Sequence, residues 1–285
     1  MKRALLLEGG TALGAVQVYA MERLIERHGL DAYSYVGGVS VGAINGLMFA
    51  ANKLPELRAL WNQVDGTDFF MRPNVFGKPG VFTLKPLRKK LKRNVRLSDI
   101  VPSLTYACGV VDYEADTYLN RAHQDMSDND ALWDAVCASA AQPIIMAGFK
   151  IEVAPALKHL CFDGGVKHVV PLLDDPASFD AIDVILCEPR HRLDPMPYSE
   201  LNTLLKVASR SFRIMINENT LQADLVRIAD WSDLTQVTVY APDQHDDEWD
   251  ASRETIQRRL NVTGRWMWEH PFDARVLLAA RQGTP

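Results

Sequence analysis

Long apolar runs and clustered cysteines are both missing from this chain of 285 residues. No stretch approaches the roughly 18 consecutive apolar residues that a membrane-spanning helix needs. The apolar segment near the start, residues 4–7, ends at Glu8 and is shorter than the core of a secretory signal peptide. The four cysteines include no Cys-x-x-Cys pair, which argues against a disulfide framework or a zinc site. We therefore expect a cytoplasmic protein, at most peripheral to a membrane, with no transmembrane segment and no metal.

An excess of basic residues is missing as well. The chain has 31 Lys and Arg against 36 Asp and Glu, a formal net charge of −5, whereas general nucleic-acid binders are basic. We expect no nucleic-acid partner. The chain also lacks internal repeats and low-complexity linkers, and its 47% hydrophobic content is enough for one large core. The prediction is a single domain over residues 1–285, with a motif-bearing core at about 4–230 and a C-terminal helical extension at about 231–285.

Strand and helix patterns alternate along most of the sequence. Apolar runs predict strands at residues 4–8, 33–39, 105–112, 160–162, 184–187 and 237–240. Helical patterns lie at residues 13–27, 41–51, 54–64, 131–141, 200–227 and 251–262. Such alternation is typical of a parallel sheet covered by helices on both faces. The predicted fold class is α/β, a three-layer α/β/α sandwich with a mainly parallel central sheet.

The most informative short motif is Gly38-Val39-Ser40-Val41-Gly42. A Gly-x-Ser-x-Gly sequence between a strand and a helix is typical of a nucleophile elbow, in which a tight turn presents the serine hydroxyl at the end of the strand. Small residues at Gly38 and Gly42 let the strand and the helix approach each other closely. The pattern favours Ser40 as a nucleophile over a serine that only caps the following helix.

A serine nucleophile needs a base, and the sequence offers several candidates. His245 and His270 lie near the C-terminus, where an α/β-hydrolase carries its histidine, but both stand in polar or turn-like surroundings. Asp163 ends an apolar strand and is followed by Gly164 and Gly165. Taken alone, this triplet is equally consistent with a turn closed by an aspartate side chain.

Taken together, the motifs resemble the patatin-like phospholipase family. A glycine-rich turn follows the first strand, Gly-x-Ser-x-Gly follows the second, and Asp-Gly-Gly lies far downstream. The segments 57–61, 138–146 and 223–227 extend the resemblance, which covers most of residues 4–230.

The resemblance implies a serine acyl hydrolase that cleaves acyl esters of lipids, with a Ser-Asp dyad and an acyl-enzyme intermediate. Ser40 is then the nucleophile and Asp163 the proton acceptor, and His168 has no role. No cofactor and no metal are implied. The expected substrate is a lipid or membrane-surface ester, cleaved by a phospholipase A or lysophospholipase type of activity.

The resemblance also assigns the opening turn, residues 9–14, to the oxyanion hole. The oxyanion hole is formed by Gly9, Gly10, Thr11 and Ala12, and the N–H groups of Gly10 and Thr11, helped by Ala12, are expected to face the oxygen. Gly14 belongs to the same motif. Two positions depart from the family pattern, since Thr11 replaces a glycine and Leu13 replaces an arginine or lysine. A β-branched threonine resists positive φ, and the loss of a cation puts the preference for charged head groups in doubt, so Leu13 would suit a more neutral ester.

Other interpretations stay open at this point. A Rossmann-type nucleotide binder would use the opening glycines for a pyrophosphate, but Thr11 interrupts its fingerprint and Ser40 and Asp163 have no part in it. A non-catalytic binding protein and an acyltransferase with the same nucleophile are the remaining alternatives.

Two stretches interrupt the alternation of strands and helices. Residues 69–82 predict a long irregular loop, and residues 88–96 carry six basic side chains. The basic stretch is interpreted either as a solvated helix face or as a rim for phosphate head groups at the acyl-chain entrance.

Overall fold

The fold is built on one large sheet with helices on both faces. The computed structural model describes residues 1–67, 71–74, 80–189, 199 and 204–282. The strands are β1 (Arg3–Leu7), β2 (Tyr33–Val39), β3 (Arg72–Pro73), β4 (Phe82–Thr83), β5 (Thr105–Asp112), β6 (Thr117–Ala122), β7 (Phe149–Ala154), β8 (Leu157–Asp163), β9 (Ala181–Ile185), β10 (Gln236–Tyr240) and β11 (Phe272–Asp273). The helices are α1 (Gln17–His28), α2 (Val41–Ala50), α3 (Leu54–Trp61), α4 (Lys85–Asn94), α5 (Asn129–Ser139), α6 (Leu204–Met215), α7 (Leu221–Trp231), α8 (Arg253–Arg258), α9 (Gly264–Glu269) and α10 (Ala274–Gln282).

The strand order in the large sheet is β11-β10-β9-β1-β2-β5-β8-β7, with β6 also paired to β5. Five neighbouring strands, β10, β9, β1, β2 and β5, run parallel. The other strands join the sheet in antiparallel pairs at its two sides. The α/β class with a mainly parallel central sheet is therefore confirmed.

Both faces of β1 are buried, and successive side chains enter different cores. Leu5 and Leu7 belong to the core under α1–α5, α8 and α9, whereas Ala4 and Leu6 belong to the core under α7 and α10. This alternation follows from the two-residue repeat of a strand. A strand that is buried on both faces has a continuous run of apolar residues in its sequence. The run Ala-Leu-Leu-Leu therefore predicts β1.

Several boundaries differ from the sequence-based expectations. The turn into the first helix is a 3₁₀ segment, Thr11–Val16, before α1 begins. Short π segments at Ile216–Thr220 and Arg259–Thr263 interrupt the predicted long helices, and residues 200–203 lie outside the described residues. The stretch 231–285 contributes β10 and β11 to the sheet in addition to its helices.

The antiparallel strands β6 and β7 were not expected from the sequence. Their side chains are mostly only partly buried, so neither strand shows the apolar run on which the other strands were predicted. Within the predicted loop 69–82, the described part forms the small β3–β4 hairpin, while residues 69, 70 and 75–79 lie outside the described residues.

At the amino end of β1, a buried ion pair joins three strands. The guanidinium of Arg3 donates to both carboxylate oxygens of Asp183, with N–O distances of 2.8–3.0 Å. The Tyr33 hydroxyl donates to the same carboxylate at 2.9 Å. This cluster lies at the opposite end of β1 from the glycine-rich turn.

Candidate active site

The carboxyl ends of β1, β2 and β9 meet at one edge of the sheet, where Leu7 is the register partner of both Gly38 and Ile185. The antiparallel strand β8 ends at the same place. On β5, Gly109 pairs with Val39 and the next residue, Val110, pairs with Asp163. The pairing therefore brings Ser40 and Asp163 together although they are far apart in the sequence.

Ser40 occupies a sharp turn between β2 and α2. Its backbone lies at φ 55° and ψ −124°, a strained conformation for a residue with a side chain. The flanking glycines are required by close approaches: a Cβ on Gly38 would lie 2.2 Å from the Gly42 carbonyl oxygen, and one on Gly42 would lie 2.3 Å from the Leu7 carbonyl oxygen. This is the geometry that a nucleophile elbow needs.

A second serine holds the turn in place. The Ser40 N–H donates to the Ser139 hydroxyl at 2.9 Å, and that hydroxyl donates to the Gly109 carbonyl oxygen at 2.7 Å. Ser139 is completely buried at the end of α5, within the segment 138–146. These contacts tie the elbow to the strand that also positions Asp163.

Asp163 is 6% exposed, and the Ser40 hydroxyl lies close enough to its carboxyl to lower the pKa of that group. Its Oδ1 also accepts the Gly165 N–H at 2.8 Å, as Gly164 and Gly165 begin a 3₁₀ turn. Burial raises the pKa of Asp163 to about 7, and the contacts with Gly165 and Ser40 lower the pKa only in part. A carboxyl with such a pKa can exchange a proton near neutral pH.

The four residues of the predicted oxyanion hole differ in what their N–H groups already contact. The Gly9 N–H donates to the Val169 carbonyl at 3.1 Å, and the Ala12 N–H donates to the Glu248 carbonyl at 3.3 Å. In the described part of the chain, the N–H groups of Gly10 and Thr11 have no such acceptor. The two free donors therefore lie in the middle of the turn.

The two departures from the family pattern have different surroundings in the turn. Thr11 adopts φ 49°, so the backbone of this β-branched residue lies in the left-handed region. Leu13 is 2% exposed and belongs to the apolar core. Gly14 packs against Val41, since a Cβ on Gly14 would lie 2.3 Å from a Val41 methyl group.

Two cavities open beside Ser40. One, called the polar cavity here, combines charged and polar residues with the apolar side chains of Val169, Phe212 and Ile216; its polar lining includes Gly10, Thr11, Ser40, Gln142, Asp163, Glu188, Arg213 and Glu248. The other is mainly apolar, with Thr11, Ser40, Val41, Ile44, Met71, Leu84, Leu87 and Met146 in its wall. A further apolar cavity shares Val41, Ile44 and Leu87 with the second. A carboxylic ester with its carbonyl at Ser40 would find apolar surface on one side and polar groups on the other.

The polar cavity is lined in part by an ion pair between Arg213 and Glu188. Arg213 donates to both carboxylate oxygens of Glu188 at 3.1 and 3.2 Å, and His245 lies 3.6 Å from the same group. Burial by itself raises the pKa of Glu188, but His245 and Arg213 outweigh burial and hold the pKa at about 2. Glu188 is therefore ionised, and its charge is matched by Arg213.

Residues 5–175 match the family model described as patatin-like phospholipase. The chain belongs to the patatin-like phospholipase family. Membership implies a lipid acyl hydrolase, and it confirms the family resemblance of the sequence motifs.

Among solved structures, the crystal structure of VipD from Legionella pneumophila is similar at a TM-score of 0.48 and 11% identity, over 95% of this chain and 68% of that chain. None of the curated proteins matches the sequence. In the part of this patatin-like chain that the structure describes, no helix has the length and apolar character to cross a membrane.

The histidines considered as bases have other contacts. His168 lies 2.8 Å from the buried carboxylate of Asp224 on α7, and His270 stacks on Trp266. His245 faces Glu188, as described above. No grouping of His, Cys, Asp and Glu within the described ranges could hold a metal ion.

The other segments of the resemblance have separate places. Residues 57–61 lie on α3, residues 223–227 lie on α7, and residues 138–146 supply Ser139 and Gln142 to the site. The basic stretch 88–96 lies mainly on α4, whose Leu87 and Leu91 are buried. Arg88 pairs with Asp130 and Asp134, and the exposed cations of that helix are Lys85, Lys89, Lys92 and Arg93.

Several residues of the site were missed in the sequence analysis. Ser139 and Gln142 lie inside the segment 138–146, and nothing in the sequence around these two side chains indicates a role in the site. Glu188, Arg213 and Glu248 are separated from the motifs by long stretches of chain. Only the approach of the strand ends and of α6 brings them together.

Proposed function

We propose that this protein is a serine acyl hydrolase for lipid esters, with Ser40 as nucleophile and Asp163 as proton acceptor. The observation that carries the proposal is that a strained elbow brings the Ser40 hydroxyl beside a buried carboxyl whose pKa burial raises to about 7. In the part of the chain that the structure describes, the Asp163 carboxyl also accepts the Gly165 N–H, and that contact does not account for its burial beside a strained serine.

In the first half-reaction, Ser40 Oγ attacks the ester carbonyl carbon while its proton passes to Asp163. The tetrahedral intermediate collapses, and the alcohol leaves with the proton from Asp163. A water molecule then attacks the acyl-enzyme and gives its proton to Asp163. When the fatty acid departs, Ser40 Oγ recovers that proton and the enzyme is restored.

The oxyanion of each tetrahedral intermediate needs donors that are not already engaged. The N–H groups of Gly10 and Thr11 meet this condition, whereas those of Gly9 and Ala12 donate to backbone carbonyls. Each donor to a developing oxyanion is worth about 3 kcal/mol in the transition state. We therefore assign the oxyanion hole to Gly10 and Thr11 within the predicted turn.

The cavities support a lipid substrate. The acyl chain would lie in the apolar cavity beside Val41, Ile44 and Leu87, and the alcohol portion in the polar cavity beside Glu188 and Arg213. The substrate would be an acyl ester of a lipid surface, and the activity would be of phospholipase A or lysophospholipase type. The mechanism uses the side chains of Ser40 and Asp163, the backbone N–H groups of Gly10 and Thr11, and water.

The test is covalent labelling with a fluorophosphonate, which reacts with activated serines. We expect labelling and hydrolysis of a p-nitrophenyl octanoate substrate in the unsubstituted protein, and neither in Ser40→Ala. Ser98→Ala, at an exposed serine outside the site, is the matched control and should behave like the unsubstituted protein. Labelling or turnover that persists in Ser40→Ala would contradict the proposal.

A further inference from the structure

The peptide groups of Ala12, next to the oxyanion donors, are held by a distant part of the chain. The Ala12 N–H donates to the Glu248 carbonyl at 3.3 Å, and the Ala12 carbonyl accepts a hydrogen bond from Arg259 Nη1 at 3.2 Å. Glu248 and Arg259 both lie beyond residue 175, where the match to the family model ends.

Arg259 is completely buried in the π segment Arg259–Thr263. Besides Ala12, its guanidinium donates to the carbonyls of Asp247 and Asp250, each at 2.7 Å, and to the Asp246 carboxylate at 2.9 Å. One rigid, planar group with several donors therefore connects the 246–250 segment to the turn. The charge is compensated by Asp246, so the contact to Ala12 is structural and not an isolated cation near the substrate.

Thr11 is the residue that needs such support. Its φ of 49° is unfavourable for a β-branched side chain, and strain of this kind persists only where the surroundings over-determine the conformation. If Ala12 were released, Thr11 could relax to negative φ, and the peptide groups on both sides of it would rotate. The two proposed oxyanion donors, Gly10 and Thr11, would then lose their alignment.

We propose that Arg259 is a positioning residue that keeps the Gly10–Thr11 donors aligned by clamping Ala12. The inference rests on the proposed function, because it concerns donors to an oxyanion. It gives the C-terminal segment, which the family match does not include, a direct part in the site.

The test compares Arg259→Lys with Arg3→Lys. Both substitutions remove a buried guanidinium that makes several hydrogen bonds, but Arg3 pairs with Asp183 at the other end of β1. A loss of alignment predicts that Arg259→Lys lowers kcat on p-nitrophenyl octanoate by about 10- to 100-fold, with KM nearly unchanged, and slows fluorophosphonate labelling. Arg3→Lys should keep kcat at any temperature where it is folded.

A second comparison separates positioning from general destabilisation. Glycine accepts positive φ without strain, so Arg259→Lys should lower kcat less in the Thr11→Gly background than in the unsubstituted chain. Asp246 is a partly exposed partner of Arg259. Asp246→Asn removes its charge and weakens the contact to Arg259 while the guanidinium stays in place, so it should also lower kcat, by less than Arg259→Lys does. This variant serves where Arg259→Lys does not fold.

The outcomes are distinct. If the unsubstituted protein has no turnover that depends on Ser40, the proposed function fails and this inference fails with it. If turnover depends on Ser40 but kcat is unaffected by Arg259→Lys or Asp246→Asn, only the inference is overturned. An equal loss of kcat in the Thr11 and Thr11→Gly backgrounds would also overturn it.

Discussion

Replacing Asp163 by Asn separates the catalytic use of this carboxyl from its effect on folding. Burial raises the pKa of Asp163 from its ordinary value of 3.8 to about 7. The unfolded chain therefore loses the proton first, and between these two pH values the folded protein binds more protons. The stabilisation is fully present below pH 3.8 and is lost as the pH rises through about 7.

The size of the effect follows from the two pKa values. Each tenfold difference in proton affinity is worth about 1.4 kcal/mol, so ionised Asp163 destabilises the fold by about 4 kcal/mol above pH 7. An asparagine does not titrate and keeps an oxygen that can accept the Gly165 N–H. We expect Asp163→Asn to be more stable than the unsubstituted protein at pH 8, with an advantage that shrinks by about 2 to 3 kcal/mol at pH 5.

Chemical denaturation of both proteins at pH 5, 6, 7 and 8 measures this difference, since a shifted midpoint at constant slope reports stability. The reasoning is refuted if the advantage of Asp163→Asn does not depend on pH, or if the variant is the less stable protein at pH 8. Either result would mean that the carboxyl titrates near its ordinary value in the folded state.

The remaining predictions concern activity and the turn. Because Asp163 must be ionised to accept a proton, kcat/KM should rise through about pH 7 and be about 100-fold lower at pH 5 than at its plateau; a flat profile would exclude this base. Gly14→Ala should lower the free energy of unfolding by about 1 to 3 kcal/mol, because its Cβ would overlap Val41. Thr11→Gly should relieve about 1 kcal/mol of backbone strain. The same denaturation series should therefore show a midpoint at least as high as that of the unsubstituted protein. Lys85→Glu with Lys89→Glu should slow hydrolysis of anionic vesicles and leave soluble esters unaffected; an unchanged rate on the vesicles would contradict a docking role of the basic helix.

The parallel strands and the elbow were predictable because their signals are local. β2 and β5 have the predicted boundaries, since each is an apolar stretch bounded by turn residues. The Gly-x-Ser-x-Gly spacing likewise reports a local steric requirement, namely the approach of Gly38 to Gly42. Strands β6 and β7, with mixed exposure, carry no such pattern.

The sequence by itself determined the α/β alternation and the choice of Ser40, because these signals are local. It determined the family, and through the family the choice of Asp163, because several motifs follow one another in the right order. Only the tertiary structure decided that β5 brings the ends of β2 and β8 together, that the N–H groups of Gly10 and Thr11 have no backbone acceptor in the described part of the chain, and that Arg259 donates to Ala12. These features depend on register and on contacts across more than a hundred residues. Hydrogen-bond partners at such separations leave no periodic trace in a single sequence.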